Sequence, residues 1–449
     1  MWEGWILAAL VATSTAGAQT VDTATAALTS EGEEDGPIIE LPDEEPETVA
    51  DAKPDGSSVM TSEQEEIERL RRDLTRGLRA YRFAIAANTA IGGYGEIVYY
   101  QSILANQEDP DGVADLRRII LFVAHRFTDW IRFYAELEVE HALAGGADLP
   151  GYAGFEQATL EFLLTDAINV RLGMVLMPMG FINQWHEPTV FHGVDRPAVE
   201  RNIIPSTWRE GGVGLFGSLA EGLDYEVYLT TGFNPLGFER NRAVAGGRQD
   251  FVLARASSPA VTARVEYEPI LGTVFGAAGY YGQAGPNAPD LFDIDGNALD
   301  IGVPVLGFAV DGRTRYKGIE ARVVAAAFTI GDTAELRTAV DAAGNFVGPD
   351  VASLAYGAYG EIAYDVLSLV DTEHQILPFA RVEHYDTMAK LEGRDKTAAD
   401  AALARTDLVV GLSYRPILQV ILKSDAVVRF QKGMGHTETV LNVGAGFMF

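Results

Sequence analysis

The sequence predicts an all-β chain: a transmembrane antiparallel β-barrel of about sixteen strands with an inward-folded third loop, preceded by a short periplasmic helix. Three observations carry that expectation. From Asn88 to the end, the hydrophobic pattern keeps the two-residue period of a strand. The links between these segments alternate short and long, as periplasmic turns alternate with outer loops. The last residues, "TVLNVGAGFMF", place Leu441, Val443, Ala445, Phe447 and Phe449 on one face and Asn442, Gly444, Gly446 and Met448 on the other. An ordered strand at the very end of a chain needs a neighbour to pair with.

Composition narrows the class. The chain has 449 residues, 47% of them hydrophobic, enough for a large folded body. Its 47 glycines and 17 tyrosines suit strands joined by many turns, and the absence of cysteine removes disulfides and thiolate chemistry. A net charge of -30 excludes a nucleic-acid partner, which needs clustered Lys and Arg, and does not suit an anionic membrane surface.

Residues 1–18 read as a signal peptide, with an apolar run from Trp5 to Val11 and Ala16, Gly17 and Ala18 before Gln19. The segment ahead of that run carries Glu3 and no Lys or Arg, a departure from the usual positive charge. Residues 19–61, with the run "SEGEEDGPIIELPDEEPE", read as an acidic disordered linker. Residues 62–84 read as a periplasmic amphipathic helix: Ile67, Leu70, Leu74 and Leu78 form a stripe, with acids early and arginines late. The stripe is of the kind that seeds a coiled coil, although it is short for one.

The barrel domain is expected over 85–449. Its period is clearest in "DWIRFYAELEVEH", where Ile131, Phe133, Ala135, Leu137 and Val139 alternate with Arg132, Tyr134, Glu136 and Glu138. Strands are expected at 88–101, 116–126, 129–141, 154–164, 168–177, 211–219, 223–232, 259–268, 271–282, 303–312, 316–329, 353–365, 375–386, 405–415, 418–430 and 438–449. Past the signal segment no window approaches the ~18 apolar residues of a helical span, so strands must do the crossing. Barrel closure then explains the C-terminus, with Leu441 to Phe449 pairing onto the first strand. Tyr99, Tyr100, Trp130, Tyr280, Tyr281, Tyr364, Tyr385 and Tyr414 are the expected aromatic girdles.

Within this pattern, "RLGMVLMPMGFINQWHEPTVFHGVDRPAVERNIIPSTWREGGVGLFG" resembles the phosphate-selective porin family (O and P type), and the resemblance extends more weakly over residues 88–449. It implies a homotrimer in the outer membrane of a Gram-negative bacterium, both termini periplasmic, with the third loop folded into a water-filled channel for small hydrophilic solutes or ions. Ending on Phe also resembles the signal by which outer-membrane barrels engage the barrel assembly machinery. Phosphate selectivity in that family depends on a ladder of luminal Arg and Lys, and this chain departs from it by carrying both signs along its polar faces.

The expected pore-lining and constriction residues are Arg132, Glu136, Glu138 and Arg171 on the wall, with His186, Glu187, His192, Asp195, Arg196, Glu200, Arg201 and Arg209 on the loop at 178–210. Cross-strand pairing that merely stabilises the wall is the competing role for such charges. No enzyme, cofactor or metal is expected. His186 and Glu187 lack the second His of H-E-x-x-H, and G-x-S-x-G is absent. Asp293, Asp295 and Asn297 have calcium-like spacing, but Gly296 and Pro304 stand where such a loop needs other residues, so a polar turn is the default. An anion- or phosphate-selective porin, a non-conducting structural or adhesion barrel and a barrel enzyme remain as alternatives.

Overall fold

The computed structural model of the protein describes residues 83–86, 88–103, 112–143, 151–285, 291–293, 295–297, 299 and 302–449. The expected signal peptide, the acidic linker and the helix as far as residue 82 lie outside the described residues. Phe83 and Ala84, expected at the end of that helix, instead belong to a short strand, β1 (Phe83–Ala86), paired onto the next one.

Sixteen longer strands follow: β2 (Thr89–Ser102), β3 (Val113–Arg126), β4 (Ile131–Glu140), β5 (Tyr152–Leu163), β6 (Asn169–Leu176), β7 (Arg209–Ala220), β8 (Leu223–Thr231), β9 (Pro259–Ile270), β10 (Thr273–Ala284), β11 (Val303–Tyr316), β12 (Ile319–Ile330), β13 (Leu354–Tyr364), β14 (Gln375–Lys390), β15 (Ala404–Ile417), β16 (Val420–Gln431) and β17 (Gly435–Met448). Each pairs antiparallel with its chain neighbours, and β17 returns to β2 with Val440 opposite Ser102 and Met448 opposite Tyr94. The sheet therefore closes into a sixteen-stranded barrel and leaves no long free edge. Phe449 finishes the seam by exchanging backbone hydrogen bonds of 2.9 Å with Gly93 in both directions. A Cβ on Gly93 would lie 2.3 Å from the Ile120 carbonyl oxygen and 2.8 Å from the Phe449 ring, so the seam requires glycine there.

Links at one end are short turns, such as 221–222, 271–272, 317–318 and 418–419, whereas most of those at the other end are long loops, the longest being 177–208 and 232–258. Alternation along the strands sorts the side chains. Ile119, Leu121, Val123, Leu306, Phe308, Val310, Leu408, Val410 and Leu412 are exposed on the outside, where no partner in the chain covers them. A continuous apolar belt on a closed barrel is a lipid-facing surface. Among the described residues, no helix is long and apolar enough to cross a membrane.

The girdle expectation needs one correction. Tyr99, Trp130, Tyr281 and Tyr364 do face outward, but Tyr280 and Tyr385 are buried inside, and Tyr100 turns inward to Asp195. Tyr280 and Tyr281 are adjacent, and one step along a strand changes face.

The interior is not uniformly polar. Near the long-loop end, Ala260, Tyr280, Val303, Val305, Phe328, Ile330 and Ala355 present an apolar wall, and Met177, Phe181, Ile182, Phe191, Trp208 and Phe233 from the loops pack onto it as one core. Side chains of that size each contribute about 1.5–3 kcal/mol when fully buried, enough to hold loops against the inside of a barrel. Among the register shifts of the described strands, two bulges re-aim luminal side chains. Glu96 pairs with Arg118 and Ile97 with Leu116, leaving Arg117 as an extra residue; Glu136 pairs with Gln157 and Leu137 with Phe155, leaving Glu156 extra. A bulge re-aims the side chains beside it. Here Arg117 and Glu156 turn into the lumen beside Arg118 and Gln157, where simple parity would send them to lipid.

Candidate functional site: the third loop and the cavity beside it

Residues 177–208 connect β6 to β7 and cross the lumen as the third long loop. Pro178 ends strand pairing, and Gly180 (φ +70) turns the chain inward, where a Cβ would lie 2.6 Å from Ile204 Cδ1. The base is clipped by one side chain. Asn183 Nδ2 donates to the Met177 carbonyl (2.7 Å) and the Trp208 carbonyl (3.0 Å), and its Oδ1 accepts from Trp208 N (2.6 Å). Trp208 itself is fully buried, with its ring 4.8 Å from Phe233.

The far part of the loop is strapped to β13–β17 by wall side chains. Ser413 Oγ donates to the His192 carbonyl (2.8 Å), Lys423 Nζ to the Gly193 carbonyl (2.9 Å) and Arg415 to the Thr189 carbonyl (3.1 Å). Asp425 accepts from Val194 N (2.6 Å), and Glu383 accepts from Ala198 N at the start of α1 (Val199–Asn202). Glu200, in that helix, accepts from Phe181 N (2.9 Å), Ile182 N and Tyr359 Oη (2.7 Å). Burial pushes its carboxyl up to about 7, against those hydrogen bonds.

The expected site residues separate into two groups. His186, Glu187, His192, Arg196 and Glu200 are buried against the loop or the wall. His192 Nε2 lies 3.2 Å from Glu320, and burial lowers its basicity. Arg196 donates to Thr207 Oγ1 (2.9 Å) and Ser206 Oγ. Asp195 and Arg201 keep part of their surface open and pair with each other at 3.1 Å; Arg117 approaches Asp195 at 2.7 Å. Burial works against the Asp195 charge, yet Arg201 and Arg117 hold its carboxyl down at about 2. On the wall, Glu136 and Glu138 are buried in β4, and Arg209 donates to Tyr152 Oη (3.1 Å).

Arg132 and Arg171 face a different environment. Together with Gln184 and Trp185 of the loop they line a cavity of about 1050 Å³ bounded by the inner faces of β4–β9 and reaching the short turns at 164–168 and 221–222. Its charged lining comprises Arg132, Arg171 and Arg264 against Glu161, Asp166, Glu221, Asp224, Glu226, Glu266 and Glu268. Two of these arginines pair closely: Arg171 lies 2.8 Å from Glu161 and 3.5 Å from Glu226, and Arg264 lies 2.8 Å from Glu266 and 2.7 Å from Asp311 behind the lining. The loop is thus fastened most heavily to one side of the barrel and leaves open space with a surplus of carboxylates on the other.

Of this lining, strand parity in the sequence pointed to Arg132 and Arg171. It missed Arg117 and Glu156, which only the bulges bring inside. Asp293 makes a local polar turn: its Oδ1 accepts from Asp295 N (2.9 Å) and Asn297 N (2.8 Å). Asp341 repeats that arrangement with Ala343 and Asn345.

No protein-family model matches the chain. A protein of Aquifex aeolicus (strain VF5), known only as an uncharacterized protein, is 31% identical over 357 residues, covering 77% of this chain and 76% of that one. Among solved structures, OmpF of Salmonella typhi, in complex with daunomycin, superposes with a TM-score of 0.53 at 12% identity over 82% of this chain and 100% of its own. The outer membrane channel DcaP of Acinetobacter baumannii gives 0.51 at 13% identity, with the same coverage. At such identities the likeness is one of fold.

Proposed function

The chain belongs to the same family as the Aquifex aeolicus protein and, on its porin fold, we propose that it is an outer-membrane porin, a water-filled channel for passive diffusion of small hydrophilic solutes or ions. The observation that carries this reading is the closed sixteen-stranded barrel with an apolar exterior, crossed inside by a loop that leaves an acid-rich cavity along β4–β9. A barrel of this strand number is wide enough for an aqueous lumen, and the loop narrows it.

Trp185 and Gln184 set the aperture from the loop side, and Arg132, Glu161, Arg171, Asp224, Glu226 and Glu266 set its charge from the wall. Excess carboxylate favours cations. The resemblance to the O and P type porins is the finer form of this reading and supports the inward third loop; phosphate selectivity is not part of it, because the luminal arginines Arg118, Arg171, Arg264, Arg381 and Arg429 are each within salt-bridge distance of a carboxylate. Placement in a Gram-negative outer membrane with the short turns and both termini periplasmic, assembly as a homotrimer, and delivery by the barrel assembly machinery through the C-terminal strand belong to the same proposal.

Swelling of proteoliposomes in iso-osmotic solutions of neutral sugars of graded size tests the sieve. Monosaccharides are expected to enter and larger oligosaccharides to be excluded at a sharp size limit. Proteoliposomes that stay sealed to the smallest sugar would remove the channel reading.

A further inference from the structure

Where the third loop touches the wall formed by β4 and β5, three side chains from separate segments converge. Glu136 of β4, Glu156 of β5 and His186 of the loop are all fully buried, and each offers one ligand atom, the three lying within 4.8 Å of one another. We propose that they form a site for a first-row divalent transition cation of the Zn²⁺ or Mn²⁺ type, which fastens the third loop to the barrel wall.

The imidazole is oriented as a metal ligand is. His186 Nδ1 lies 3.2 Å from the Asn183 carbonyl oxygen, which can only accept, so the ring proton belongs on Nδ1. Nε2 then presents its lone pair toward Glu156 Oε2, 2.9 Å away. A lone pair facing a carboxylate is repulsive unless a proton or a metal ion lies between them, and this pocket can hold either. A backbone carbonyl receiving the other ring N–H is the usual support of a metal-bound histidine.

Two further observations point into the same place. Glu156 Oε1 and the Tyr94 hydroxyl are buried without a hydrogen-bond partner among the described residues, and the Tyr94 ring centroid is 6.2 Å from that of His186. Buried polar atoms of this kind call for a water or an ion to partner them. Glu156 is also the extra residue of a bulge, so its inward aim is made by a local break in strand pairing.

Charge leads to the same answer. The buried acids Glu96, Glu136, Glu138 and Glu156 outnumber the buried arginines Arg118, Arg196 and Arg209 around them by one. Arg118 is committed to Glu96 at 2.8 Å, while Arg196 donates to hydroxyls and to the His186 carbonyl. A bound cation answers that surplus. A nitrogen with two carboxylate oxygens suits Zn²⁺ or Mn²⁺, whereas Ca²⁺ prefers an all-oxygen shell. The sequence hides the site, because it offers His186 beside Glu187 while the fold pairs it with residues 30 and 50 positions away.

The test uses the full-length protein in detergent, stripped with chelator and titrated calorimetrically with Zn²⁺. One Zn²⁺ per chain is expected, with binding weakened at least tenfold in His186→Ala and in Glu156→Gln and unchanged in His436→Ala, whose side chain is exposed. Circular dichroism and heat-modifiable migration report whether each barrel is intact. An intact wild-type barrel that takes up no Zn²⁺, or Zn²⁺ binding undiminished in intact His186→Ala and Glu156→Gln, would overturn the site, as would a preference for Ca²⁺. Should a variant not assemble, pulsed electron paramagnetic resonance of Mn²⁺ on the wild type decides alone: coupling to one imidazole nitrogen is expected, and its absence contradicts the assignment. None of these readouts depends on conductance, so the site and the channel stand or fall separately.

Discussion

Glu200 holds the third loop from within, taking two backbone N–H groups at the turn after Gly180 and the hydroxyl of Tyr359 from the wall. Burial raises its carboxyl from the ordinary 4.5 to about 7. Between those values the folded chain holds a proton that the unfolded chain has released, so stability falls as pH rises from about 4.5 to 7 and levels off above. Thermal unfolding in detergent at a series of pH values should show the midpoint dropping across that window in the wild type and a flatter profile in Glu200→Gln. An equal drop in both proteins would assign the dependence elsewhere. Glu200 was legible in the sequence as a charged residue of the loop, but not as an inward anchor, because nothing in "AVERN" says which wall it meets. Arg117 and Glu156 were illegible for a different reason: a bulge inserts one residue and reverses parity locally, and no pattern of hydrophobicity marks where that happens.

At the scale of elements, the sixteen strands were legible almost completely, each expected bound falling within four residues of the observed one. Their lipid-facing residues impose a strict alternation that propensity alone does not, and Gly and Pro punctuate the turns. The third loop was legible as a long insertion with aromatic and charged residues. Its attachments were not, since they depend on side chains of β13–β17 more than 150 residues away, such as Tyr359, Glu383 and Lys423. The apolar patch that receives the loop was hidden too, because Val303, Val305 and Phe328 look like any strand hydrophobics. Asn183 closes the base of this element with three hydrogen bonds to buried backbone groups. Asn183→Ala should cost about 1–3 kcal/mol, lower the unfolding midpoint and make open-channel current noisier as the loop loosens. A midpoint and a noise spectrum equal to wild type would show that Met177 and Trp208 need no clip.

For the whole molecule, the C-terminal strand that ends on Phe449 joins β2 and turns a sheet into a closed wall. Closure satisfies every strand edge, lets the exterior be apolar and frees the interior to be charged. The loop then divides that interior into a fastened side along β13–β17 and an open side along β4–β9, where seven acids face three arginines. Passage of water and cations along that open side is the central claim. Single-channel recording in a planar bilayer under a potassium chloride gradient tests it most directly. Stepwise ohmic conductance is predicted, with a reversal potential of cation sign that moves toward zero in the double variant Glu226→Gln, Glu266→Gln. A bilayer that remains sealed, or an anion-sign reversal potential with block by phosphate, would contradict the account.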